Sequence, residues 1–251
     1  MSISVTEHDF MTNHTPRCFA DLVFASEKVE DQLRSFAEGY NWGHVLLHGP
    51  YGTGKSSTAR LIVEARQRAC GIQTPFVAQM QADDIKDNIA VITKSASMLY
   101  TICNTDKEPF VIVDEVDQMN TPQQNKLRAV LDEMVVGRVI FTTNFPDRID
   151  GALRDRCRVL QLLPPSAAQW LARAQAILAA EQVRMSDAAV LSVLEPYSSV
   201  RRWLQELWTL VRRARKLTAA VTSAAATTPS VVPAGSAPRN FVVLNTTDVT
   251  P

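Results

Sequence analysis

Residues 49–56 read Gly49-Pro50-Tyr51-Gly52-Thr53-Gly54-Lys55-Ser56, a complete G-x-x-x-x-G-K-S/T pattern. This octet constrains the fold because of what its backbone must do. The glycines let the chain curl so that several N–H groups point into one anion hole. The flanks suit it. His44-Val45-Leu46-Leu47-His48 is a strand-like apolar run ahead of the loop, and a helical pattern runs from Ser57 to Gln67 behind it. Phosphates held by Gly49 to Ser57 would then sit at a helix N-terminus. Lys55 is placed to reach the β- and γ-phosphates of a nucleoside triphosphate, and Ser56 to hold Mg2+.

Further runs alternate in the same way. Pro75 to Met80, Phe110 to Val113 and Val139 to Phe141 read as strands, the last two uniformly apolar, as in strands buried on both faces. Helices are expected over Ser26 to Glu38 and Asp83 to Leu99, the latter with Ile85, Ile89, Ile92 and Met98 at helical spacing. Thr121-Pro122-Gln123-Gln124 reads as a helix start, with Thr121 as N-cap, Gln124 closing a capping box and Gly137 ending the helix. Its apolar stripe is Leu127, Val130, Leu131 and Met134. Strands alternating with helices predict an α/β fold, a parallel sheet covered on both faces.

Pro164-Pro165 breaks that pattern. Beyond it, segments near 166–181, 187–195 and 199–216 are helical, with Ser166 and Ser186 as N-caps and no strand signal. The expected organisation is a loose N-terminus (1–15), an α/β nucleotide-binding domain (16–163), an all-helical domain (164–216) and a low-complexity tail (217–251), in which Arg239 and Asp248 alone carry charge. Phe241-Val242-Val243-Leu244 is an apolar patch in that tail, expected to be unattached although a strand of this kind can add to a sheet edge.

Composition excludes several classes. The chain has 251 residues with balanced charge, so no global field draws nucleic acid to it. Cys18, Cys70, Cys103 and Cys157 form no C-x-x-C pair, which argues against zinc and redox motifs and suits a reducing cytoplasm. No run approaches the length of a membrane span.

Asp114-Glu115 follows the apolar run Phe110–Val113, roughly sixty residues after the phosphate loop. At the carboxyl end of a parallel strand these carboxylates would stand beside the loop. Asp114 would serve the Mg2+ shell and Glu115 would polarise an attacking water as general base. Asn144, after Thr142-Thr143, ends the next strand at the same edge. It can hydrogen-bond a γ-phosphate and the water, or simply form the turn before Phe145-Pro146.

The chain resembles the AAA+ ATPases, and among them the clamp-loader small subunits of the replication factor C type, over residues 16 to 216. The resemblance rests on Pro16-Arg17-Cys18-Phe19-Ala20-Asp21-Leu22-Val23, on Val111 to Glu115, on Gln124 to Glu133, on Asp155-Arg156-Cys157 followed by Val159-Leu160-Gln161-Leu162, and on Val200-Arg201. It implies ATP and Mg2+ as ligands, with Val23 in the segment lining the adenine pocket. It implies Asn144 as first sensor, Arg156 as an arginine finger acting in a neighbouring subunit, and Arg201, with Arg202 as rival, as the second sensor. It therefore implies a homo- or hetero-oligomer. Asp155 stands where the family has Ser, and a carboxylate there could pair with an arginine and hold it back. Ser198-Ser199 replaces the family's Gly-Asp. The family's C-terminal helical collar is expected to be absent, since the sequence turns low-complexity after Lys216.

Three functional classes are to be weighed for such a chain. A DNA-associated loader or switch would use the stripe Arg201, Arg202, Arg212, Arg213, Arg215 and Lys216 with Trp203 and Trp208 between. Alternatively, Trp203, Leu204, Leu207, Trp208 and Val211 are a buried face and the arginines only its solvated side. A protein unfoldase would need an aromatic pore loop, and Gln79 to Asp84 has none. A non-catalytic scaffold fits poorly with intact Lys55, Asp114, Glu115, Asn144 and Arg156.

Overall fold

The computed structural model describes residues 6–40, 43–103, 109–225 and 242–243. In chain order the first elements are α1 (Glu7–His14), α2 (Glu27–Glu38), β1 (His44–His48), α3 (Lys55–Ala69) and β2 (Ala78–Gln81). Then follow α4 (Ala82–Ile85), α5 (Val91–Cys103), β3 (Phe110–Asp114), α6 (Thr121–Glu133) and β4 (Arg138–Thr143). The last are α7 (Gly151–Arg154), β5 (Cys157–Gln161), α8 (Ala167–Ala180), β6 (Val183–Arg184), α9 (Asp187–Leu194), α10 (Val200–Ala225) and β7 (Val242–Val243). The chain forms two compact units, Pro16–Pro164, and Met1–Thr15 with Pro165–Pro251.

The first unit is a five-stranded sheet of order β2-β3-β4-β1-β5, parallel throughout. Its strands bury alternate residues on opposite faces. Val111 and Val113 of β3 join Val139 and Phe141 of β4 in a core with Ile92, Leu99 and Leu127. Phe110 and Ile112 join Val45, Leu47 and Ile140 in a second core with Phe36, Ile62 and Leu33. This two-sided burial is what the continuous apolar runs specify. β5 was not among the expected strands. It is an edge strand with Arg158 and Val159 exposed, so it lacks an all-apolar signature.

Several local expectations are corrected. The stretch 83–99 is two helices, and Met98 lies on the exposed side while Ile85, Ile89 and Ile92 are buried. The N-cap of α6 is Asn120, not Thr121. The Asn120 side chain accepts from Gln123 N at 3.0 Å and Gln123 returns the bond to Asn120 N at 2.9 Å. Gln124 is therefore not a cap but a buried junction, donating to Met119 O and Arg148 O and accepting from Asp150 N. The helix ends at Glu133, and Gly137 instead supplies the positive φ of 86° in the turn into β4.

His44 opens β1 and its Nδ1 accepts the Val139 N–H at 3.1 Å. Burial, reinforced by the Arg138 charge, pushes its pKa down from 6.5 to about 4. The unfolded chain therefore takes a proton that the fold refuses, so stability is full above pH 6.5 and falls as pH drops from there to 4. The loss reaches about 3 kcal/mol. Thermal melts between pH 8 and 4 should show this decline, flattened in His44→Gln. An identical slope in the variant would assign the loss to other groups.

The second unit is mostly helical, with a capping box at Ser166 and a simple N-cap at Ser186. Trp203 is its centre. The indole Nε1 donates to Leu194 O and Tyr197 O at 2.8 and 3.0 Å, and the ring packs 5.2 Å from Trp170. Three expectations change here. Residues 7–14 form a helix whose capping box is Thr6 with Asp9, and Phe10 is fully buried against Trp208, ring centroids 5.4 Å apart. One buried aromatic anchors an otherwise polar segment that composition marks as loose. Second, α10 continues to Ala225, because Ala-rich sequence past Leu217 supports helix as readily as tail. Third, Val242-Val243 pairs in parallel with Val183-Arg184, a small ladder inside a unit expected to lack strands. Other residues of the 217–251 segment beyond Ala225 lie outside the described residues. No described helix is long and apolar enough to cross a membrane.

Candidate functional site

The sheet order does most of the assembly. β4 lies between β1 and β3, so the loop after β1, Asp114 at the end of β3 and Asn144 just past β4 stand side by side at one carboxyl edge. Gly54 precedes α3 in the left-handed region, φ 83°, and offers no side-chain cap. The first helical bond there runs from Thr58 N to Gly54 O, 2.8 Å. The N–H groups of the first turn, including those of Ser56 and Ser57, are left without intrahelical acceptors, as an anion site requires. Buried Lys55 turns back into the loop and donates to Gly49 O and Pro50 O at 2.9 and 2.8 Å. Thr53 Oγ1 donates to Pro50 O. Tyr51 is exposed at the loop's outer side, its ring against Phe145.

Asp114 is the hub. Its Oδ1 accepts from Ser56 Oγ and from Thr142 Oγ1, both at 2.7 Å, and its Oδ2 accepts from Gln79 Nε2 at 2.5 Å. Hydroxyl and carboxylate oxygens in contact are the hard donors that Mg2+ takes alongside substrate phosphates. Among the described residues no cluster of three or more His, Cys, Asp or Glu forms a separate metal cage. Gln79 and Thr142 were not singled out from sequence. The available signal was a polar residue at the site end of strands flanking β3. Glu115 is exposed, in the left-handed region at φ 57° and ψ 46°, its N–H donating to Thr142 Oγ1. Asn144 is half-buried.

The loop start is clamped from β5. Leu162 N donates to His48 O at 2.7 Å. A Cβ on Gly49 would lie 2.0 Å from Leu162 O, with φ at 153°. Gly49→Ala should therefore cost at least about 2 kcal/mol in denaturant unfolding, because the obstacle is backbone. A stability unchanged from wild type would show that the β1–β5 contact yields.

Beside this clamp is a cavity of about 170 Å³ lined by Phe24, Ala25, Ser26, Val29, Gln161, Leu162 and Leu163. Val23 is half-buried and not part of the lining. Cys157 is a half-buried thiol whose pKa burial raises to about 12, so it is inert packing.

Arg156 is not held by Asp155. Its Nε and Nη2 donate to the two oxygens of Asp132 at 2.6 and 2.7 Å, and Nη1 donates to Ala152 O at 2.8 Å. In the helical unit Arg201 and Arg202 are both exposed. Arg202 pairs with Glu206 at 3.1 Å and covers the Tyr197 ring. Arg215 is committed to Glu181. Trp203, Leu207, Trp208 and Val211 are the buried face of α10, and Leu204 is half-buried.

A glycine loop between strand and helix, with a carboxylate at the neighbouring strand end, defines a P-loop nucleoside-triphosphate-binding fold. Residues 45–165 match the model of the ATPase family associated with various cellular activities, AAA. The likeness to the AAA family rests on this domain. It is similar to replication factor C small subunit 1 of Pyrobaculum arsenaticum, 31% identical over 180 residues, covering 70% of this chain and 54% of that protein. It is also similar to the probable replication factor C subunit 2 of Dictyostelium discoideum, 26% identical, covering 74% and 55%. The chain spans about half the length of the curated relatives it matches. A solved structure of Thermotoga maritima RuvB, described as a Holliday junction branch migration motor, shares the fold at TM-score 0.62 and 17% identity, over 83% of this chain and 67% of that one.

Proposed function

We propose that this chain is an ATP-hydrolysing switch of the clamp-loader kind, which assembles with ATP between subunits and acts on DNA or a DNA-bound protein. The observation that carries the reading is the 2.7 Å bond between Ser56 and Asp114 beside an uncapped helix N-terminus. It joins the two halves of a nucleotide site from residues 58 positions apart. The placement of these residues supports the following roles. Residues 49–57 bind the phosphates, and Lys55 exchanges its loop carbonyls for the β- and γ-phosphates. Ser56 and Asp114 hold Mg2+, which when bound neutralises charge on the phosphates. Glu115 orients and deprotonates the attacking water, with Asn144 as its partner at the γ-phosphate. The cavity of Phe24 to Leu163 receives the base.

Two arginines complete the reading. Arg156 serves as a finger in the neighbour's site. Arg201 is the lid sensor rather than Arg202, because Glu206 and Tyr197 already engage Arg202 while Arg201 has no ion-pair partner among the described residues. The relatives carry replication factor C in their names, and replication DNA is the corresponding target proposed here.

The test combines light scattering with turnover. ATP should convert monomer to oligomer at micromolar protein, and primed DNA at low salt should raise the ATPase rate. A monomer with and without ATP would overturn assembly for the chain alone. A rate indifferent to DNA would point to a protein target.

A further inference from the structure

We propose that Asp132 is a positioning residue that latches Arg156 and cancels its charge in the unassembled subunit, and that a neighbour's phosphates displace it. The inference rests on the reading of Arg156 as a trans finger and goes beyond it. Three of the guanidinium's five N–H groups are taken, two by one carboxylate in a side-on fork and one by Ala152 O. The fork is the geometry in which Arg and carboxylate pair most specifically. It is also the geometry in which Arg binds phosphate, so the two acceptors compete for the same edge.

The position of Asp132 adds a second argument. It is the penultimate residue of α6, whose last turn holds no basic residue. A carboxylate there opposes the helix dipole, and pairing with Arg156 offsets that. Accordingly the hydrogen bond from Arg156 holds the Asp132 carboxyl below the usual carboxylate range, and the same bond raises the guanidinium pKa. Both side chains are solvent-accessible, 34% for Arg156 and 50% for Asp132. Exposed pairs are weak, so phosphate can open the latch.

The experiment measures ATPase rate per subunit against protein concentration for wild type, Asp132→Asn, Asp132→Glu and Arg156→Ala. Asp132→Asn should lower the half-maximal concentration by roughly two- to fivefold, the scale of an exposed pair, with the plateau unchanged. Asp132→Glu, which keeps the charge, should stay near wild type. A half-maximal concentration that is unchanged or raised in Asp132→Asn overturns the latch. A lowered plateau also overturns it, since Asp132 would then hold Arg156 in the working complex. An undiminished plateau in Arg156→Ala removes the finger and the latch together, which separates that failure from the latch failing alone. Light scattering of Asp132→Asn in the Glu115→Gln background reads the same shift without turnover.

Discussion

Arg156→Ala should lower ATP turnover by about 10³-fold or more at protein concentrations where the wild type is assembled, the scale of lost arginine fingers. Nucleotide affinity of the isolated subunit should not change. The reason is geometric. Arg156 leaves α7 at its junction with β5, where its guanidinium donates to Asp132 and Ala152 rather than to the phosphate loop of its own chain. On the proposed reading, a charge placed there would act on a phosphate brought by another subunit. Mixing distinguishes this from any effect within one subunit. Arg156→Ala has an intact site and no finger, while Glu115→Gln has an intact finger and no base. Each alone should be inactive. Mixed, an Arg156→Ala site facing a Glu115→Gln finger should recover activity. Mixtures that stay inactive, although both variants bind ATP and co-assemble, would remove the trans role.

How far this site could be read from sequence depends on how local each part is. The loop, α3 and the Asp114-Glu115 pair are written in adjacent residues, so type and chemistry were legible before any fold. The 2.7 Å bond from Ser56 to Asp114 was expected only as a shared edge, since it depends on β4 inserting between β1 and β3. The Leu162 clamp on Gly49 was not legible at all, because β5 is half exposed and its pattern does not declare a strand. The partner of Arg156 was sought next door at Asp155. It lies 24 residues earlier, on α6, where only the tertiary fold can bring it. The N-terminal helix failed for a different reason: polar sequence predicts looseness, and one phenylalanine in an aromatic pocket outweighs it. In each case the missed feature is a long-range contact that no local pattern encodes.

Glu115→Gln should reduce turnover by about 10²- to 10⁴-fold, the range for loss of a positioned general base, while leaving ATP binding near wild type. The amide keeps size and hydrogen-bonding reach but cannot accept the proton of an attacking water. Lys55→Ala gives the contrast, since it removes the ammonium meant for the phosphates and should abolish binding itself. The backbone sharpens the case. Glu115 sits at φ 57°, which an unbranched acidic residue tolerates at a cost, and its N–H is tied to Thr142 Oγ1. Thr142 also donates to Asp114, so one hydroxyl group fixes both carboxylate residues, one through its side chain and one through its backbone. Strain kept at such a position is common where it aims a reacting group. Glu115→Asn tests that aim, because Asn accepts the left-handed conformation readily and shortens the side chain. It should fold at least as stably as wild type yet turn over no faster than Glu115→Gln. Wild-type turnover in either variant, with ATP bound, would mean that the water is activated by another group.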